Sequence, residues 1–108
     1  MDKQKMEEIS FQIISTVGQA KALYCEAIDA ATKNEISKAR ELLKQGTKEL
    51  TKSHKFHHEV IIEEAQGNDL NLTLLFVHAE DQFITTDLLT TITEKMIDMC
   101  EAFNKHGK

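Results

Sequence analysis

The stretch LLFVHAEDQFITT, residues 74–86, sets an imidazole, a carboxylate and an amide at His78, Asp81 and Gln82 into an otherwise largely apolar segment. If the segment is helical, steps of three and four put His78 beside Asp81 and Gln82 on one face, close enough for their side chains to share a partner. A carboxylate on a packing seam must be paired, protonated or bound to a cation, because an isolated buried charge is too costly to keep. Were a symmetric oligomer to have this seam on its axis, one Asp81 from each chain would converge there, and a hard divalent cation would relieve their repulsion. Against this stands the plainer reading of His78 as a hydrogen-bonded structural residue.

A second group of imidazoles lies in SHKFHHEV, residues 53–60. His54 and His58 are four apart, the spacing of a two-histidine metal face, while His57 falls on the apolar stripe. Two histidines make half a zinc site, and no third ligand follows nearby, so solvated or hydrogen-bonded side chains are expected. No Glu-x-x-His occurs, which removes the di-iron carboxylate bundle. Serine elbows, cysteines in a helix-start context and glycine-rich phosphate loops are also missing, so neither a hydrolase nor a P-loop enzyme is indicated. Glu59, Glu63 and Glu64 read as a solvated helix face, and Met96 and Met99 as core filler.

The elements that must position these residues are helices. The 108 residues contain no proline and only four glycines, enough chain for a single domain over 1–108 with one modest core. From about Lys5 to Thr32, Met6, Ile9, Ile13, Thr16, Ala20, Leu23, Ala27 and Ala30 recur in steps of three and four and predict a first helix. Asn34 is a plausible N-cap for a second, in which Ile36, Ala39, Leu43, Gly46, Leu50, Ser53, His57 and Val60 continue the pattern until the chain nears Gly67. Asn71 or Thr73 can cap a third, carried by Leu74, Leu75, Leu88, Leu89, Ile92, Met96, Met99 and Phe103 to about Asn104. Short connections make this an all-α, antiparallel up-down-up hairpin bundle.

Extending the third helix's register back from Ile92 and Leu88 lands on Asp81, His78 and Leu74, which predicts the polar trio on the packing seam. Phe76, Val77, Phe83 and Ile84 make the same segment apolar nearly all round, so burial between subunits is expected as well. The net charge of −5, with lysines spread among more numerous acids, argues against nucleic acid and for protein partners. Cys25 and Cys100 form no CxxC pair and favour a reducing compartment. No apolar run approaches the length of a membrane span and no signal core follows the N-terminus, so direct membrane insertion is not expected and the cytoplasm is.

The string LLFVHAED, with Gln82-Phe83-Ile84 behind it, resembles the LLLVHAQDHLM hallmark of the lactose/cellobiose-type enzyme IIA component of the bacterial phosphoenolpyruvate-dependent sugar phosphotransferase system. Gly18-Gln19-Ala20, the alanine-rich residues 26–31, Ala39-Arg40-Glu41-Leu42-Leu43 and Ser53-His54-Lys55 extend the likeness over essentially the whole chain. The resemblance implies a cytoplasmic homotrimer of three-helix hairpins, a nine-helix bundle. His78 would take a phosphoryl group from phospho-HPr and pass it to a cysteine of the cognate IIB component, for uptake and phosphorylation of a β-linked disaccharide. Asp81 matches the carboxylate that, three copies together, holds Mg2+ or a similar divalent cation on the trimer axis. Gln82 stands where the family usually has a second histidine and cannot carry a proton at neutral pH; it and a second-helix histidine, His54 or His57, from the same or a neighbouring subunit are candidate supporting residues for the phosphoryl oxygens. The resemblance does not fix the sugar, because the membrane IIC component binds it. The competing reading is a non-enzymatic helical interaction or regulatory module of the same fold.

Overall fold

The computed structural model describes residues 1–106, the side chain of His106 excepted. It consists of α1 (Lys3–Thr32), α2 (Ile36–Ala65) and α3 (Leu74–His106). The body measures 59 × 20 × 19 Å. A helix of 33 residues is about 50 Å long at 1.5 Å per residue, so helix length sets the length of the molecule.

Local chemistry explains where each helix begins and ends. Asp2 caps α1 by accepting from the Lys5 backbone N–H at 2.7 Å, and Thr73 caps α3 by accepting from that of Phe76 at 3.1 Å. Gly67 follows α2 with φ of 81°, the left-handed conformation that ends a helix cheaply only at glycine or asparagine. The expectation for Asn34 fails. The N-cap of α2 is Glu35, which makes no side-chain cap bond, whereas Asn34 itself is left-handed at φ 62°. Its Oδ1 instead accepts from Asn104 Nδ2 at 2.7 Å, tying the α1–α2 turn to the far end of α3.

Met6, Ile9, Ile13, Val17, Ala20 and Tyr24 of α1 pack with Leu50 and Val60 of α2 and Phe76, Ala79 and Phe83 of α3 in one core cluster, and Ala27, Ala30 and Ala31 with Ala39 and Ile97 in a second, half-buried Leu43 packing against both. Tyr24 is fully buried and its hydroxyl joins α1 to both other helices, 3.1 Å from Thr47 Oγ1 of α2 and accepting from Thr90 Oγ1 of α3 at 2.8 Å. The ring fits because position 46 is glycine: a Cβ there would lie 2.5 Å from Tyr24 Cε1. Deeper toward the α1 start, Thr16 and Ser53 pair through their hydroxyls. On the surface Arg40 of α2 reaches Asp98 and Glu101 of α3 at 3.1 and 3.0 Å. Hydrogen bonds donated to these two carboxylates hold its guanidinium above the ordinary arginine range, so its charge is constant at any pH the fold will meet.

The predicted seam of α3 is not the face that packs on α1 and α2. Leu74 is 84 % exposed and Phe103 76 %, and Leu88, Ile92, Met96 and Met99 are exposed between them. The inward face is Phe76, Ala79, Phe83, Thr86, Thr93 and Ile97. Met96 and Met99 are therefore not core filler within the chain. The helix is apolar on two sides, and periodicity registered both while length favoured the one with the larger side chains.

Candidate active site

His78 and Asp81 both lie exposed in the second and third turns of α3, and Gln82 is half-buried beside them. The apolar residues surrounding them on the outside of the helix are Leu74, Val77, Ile84, Leu88 and Ile92, all exposed. At about 100° per residue Asp81 falls inside this outward stripe and His78 on its margin, about 60° away. The imidazole is thus open to an incoming molecule, while the carboxylate is set among apolar side chains that have no cover from their own chain. Thr85, one turn beyond, returns its hydroxyl to the Asp81 and Gln82 carbonyls at 3.0 and 3.1 Å, keeping the outward stripe's polar surface low.

The α2 histidines occupy a different side of the helix. His57 Nδ1 lies 2.7 Å from Glu80 Oε1, and its ring stacks on Phe83 with centroids 4.9 Å apart and planes 25° from parallel. His54 meets the same phenyl ring edge-on at 4.9 Å and places Nε2 3.6 Å from Asp87 Oδ1. Two imidazoles a turn apart on α2 therefore embrace Phe83, each opposite a carboxylate of α3. The structure sets His54 and His57 against α3 but does not bring either to His78 of the same chain. Glu80 and Asp87 were not recognised from the sequence; the available signal was their placement three residues before and four after Phe83, which puts both on one helix face beside it. His58 is exposed and has no ion-pair partner among the described residues.

Within a single chain no cluster of three His, Cys, Asp or Glu side chains could hold a metal among the described residues. Cys25 and Cys100 are free thiols. No helix is long and apolar enough to cross a membrane, among the same residues.

Residues 8–101 match the family model described as the PTS system lactose/cellobiose specific IIA subunit. The chain belongs to this family. The lichenan-specific phosphotransferase enzyme IIA component of Bacillus subtilis strain 168 is 35% identical over 98 residues, covering 91% of this chain and 89% of the relative. The lactose-specific EIIA component of Staphylococcus aureus is 26% identical over 107 residues, 99% of this chain and the whole of that one. Among solved structures, PtcA from S. mutans superimposes with a TM-score of 0.91 at 27% identity, covering 94% of this chain and 99% of its own. The cellobiose-specific enzyme IIA from Bacillus anthracis gives the same TM-score at 24% identity, covering 98% and 95%, and shares the fold. As a IIA component of the lactose/cellobiose type, the chain is a phosphocarrier in sugar uptake, with the transferase role of that system.

Proposed function

We propose that His78 is the phosphoryl carrier, receiving the group from phospho-HPr and yielding it to a cysteine of a IIB component in the cytoplasm, for uptake of a β-linked disaccharide. The observation that carries this reading is the exposed imidazole on the margin of an apolar stripe, in the segment that resembles the family's hallmark string. An unprotonated imidazole nitrogen attacks phosphorus, the bond from phosphorus to the HPr donor breaks, and the released donor side chain takes up the charge or a proton. The second transfer repeats the exchange with the IIB thiolate as acceptor. Histidine suits a relay because the N-phosphoryl group keeps its transfer potential, where a serine or threonine ester would not. Since such transfers pass through a loose transition state, the protein's task is to align donor and acceptor and to offer hydrogen bonds to the equatorial oxygens.

The functional unit we propose is a homotrimer whose axis runs along the outward stripe of α3. A stripe that continues from Leu74 to Phe103 has the length and pattern of the same helix from another copy. This places three Asp81 carboxylates together. One chain offers a single such ligand, so the residues fit a cation only as a set contributed by the three chains; Mg2+ or a similar hard ion would neutralise their mutual repulsion when bound. Incubation with phospho-HPr tests the carrier role. An acid-labile, base-stable phosphate is expected on the wild-type chain and none on His78→Ala; label of that kind persisting in His78→Ala would overturn it.

A further inference from the structure

The outward stripe of α3 has two polar margins, and they differ. His78 marks one. The other is formed by Glu80 and Asp87, which are already joined to α2 through His57 and His54. Asp87 follows His78 by nine residues, about two and a half turns, so the body of the helix separates His78 from the α2 imidazoles of its own chain.

A cyclic trimer changes that separation into a meeting. Its interfaces are head-to-tail, so one margin of each α3 faces the opposite margin of the next copy. Heights also agree, because a three-fold axis leaves the chains unshifted and Glu80 is two residues from His78, about 3 Å along the helix. Beside Glu80 the surface opens into a groove of about 200 Å³ between α2 and α3, walled by His57, Ile61, Glu64, Phe76 and Glu80 among others. His57 is the nitrogen base of that wall. Its ring is fixed on Phe83 and its Nδ1 is engaged by Glu80, which leaves Nε2 for another partner.

Resting on the trimeric carrier reading above, we propose that His57 of the partner subunit, oriented by Glu80 and Phe83, donates from Nε2 to the phosphoryl group that enters or leaves His78. With Nδ1 held against the Glu80 carboxylate, the second ring nitrogen is the one turned to an incoming dianion, and an N–H there would be a charge-assisted donor to it. Positioning in trans also gives a use to an imidazole at a core register position of α2, only partly exposed.

Mixed trimers test this. His57→Ala alone should take label from phospho-HPr roughly a hundredfold more slowly than wild type, the scale of one donor lost from a developing anion. His57→Gln keeps an N–H donor and should retain most of the rate, with both variants trimeric by light scattering. Refolding equal amounts of His57→Ala and His78→Ala chains together should restore a wild-type-rate phase covering about half of the His57→Ala chains, those whose groove-side neighbour supplies an intact imidazole. A mixture that labels only slowly would overturn the trans assignment, as would wild-type kinetics in His57→Ala or equal loss in His57→Gln. Wild-type chain that takes no label at His78 would instead overturn the carrier reading, and this inference with it.

Discussion

The two apolar sides of α3 are built from different residues for different neighbours. The inward side alternates rings with small or hydroxylated residues, Phe76, Ala79, Phe83, Thr86, Thr93, so that α1 and α2 approach closely. Its outward side uses Leu74, Val77, Ile84, Leu88 and Ile92, with Asp81 the one acid inside the stripe. Small inward residues fit a helix gripped by two others at fixed distance, while the larger outward ones suit a seam around an axis. Hydrophobicity is therefore a poor guide to which side is inside: the more apolar side is the one this chain leaves open.

Several substitutions would break or sharpen that contrast. The largest effect is chemical: His78→Ala should abolish phosphate uptake from phospho-HPr, while His54→Ala, His57→Ala and His106→Ala still reach labelled end points in a long incubation. Truncating the inward side comes next. Phe83→Ala removes the ring held between two imidazoles and should cost about 3–5 kcal/mol of unfolding free energy, measured in denaturant. On the outward side Leu88→Glu should leave helicity by circular dichroism unchanged but lower the light-scattering mass from three chains toward the single 12.3 kDa chain. Trimer persisting in Leu88→Glu would show that the seam lies elsewhere. Asp81→Asn removes repulsion and the need for a cation together, so it should stay trimeric, lose bound metal, and show the same melting temperature with and without EDTA. Unchanged metal content, or phosphorylation lost by orders of magnitude, would refute the structural role given to Asp81. The smallest effects compare two glycines. Gly46→Ala drives a methyl into Tyr24 and should cost about 1–3 kcal/mol, whereas a Cβ at Gly18 meets nothing within 4 Å, so Gly18→Ala should stabilise the free chain by roughly 0.5–1 kcal/mol.

Much of this architecture was legible in the order of residues. Without proline, and with only four glycines, three long helices were the natural reading, and the core positions of α1 and α2 follow three-four periodicity from Met6 to Ala30 and from Ala39 to Val60. The third helix defeated the same method because two stripes on one cylinder give a weak and ambiguous period. Asn34 misled for another reason: asparagine serves equally as an N-cap and as a left-handed turn residue, and its bond to Asn104, distant in sequence, decided between them. His78, Asp81 and Gln82 were visible as a group because three- and four-residue spacing is local. The pairing of His57 with Glu80 was not, since it depends on how two antiparallel helices are offset, which neither helix encodes alone.

That offset has its own determinant in the Tyr24 hydroxyl. Apolar stripes on long rods are tolerant of sliding, because a leucine finds nearly equal company one turn up or down. A phenol that must reach Thr47 and Thr90 together, through a notch only Gly46 provides, closes at one setting of the three rods and no other. It acts as an indexing pin. On the carrier reading proposed above, the reactive nitrogen has to be found by two successive partners, and a slip of one turn would carry His78 about 5 Å along the rod and out of alignment with both.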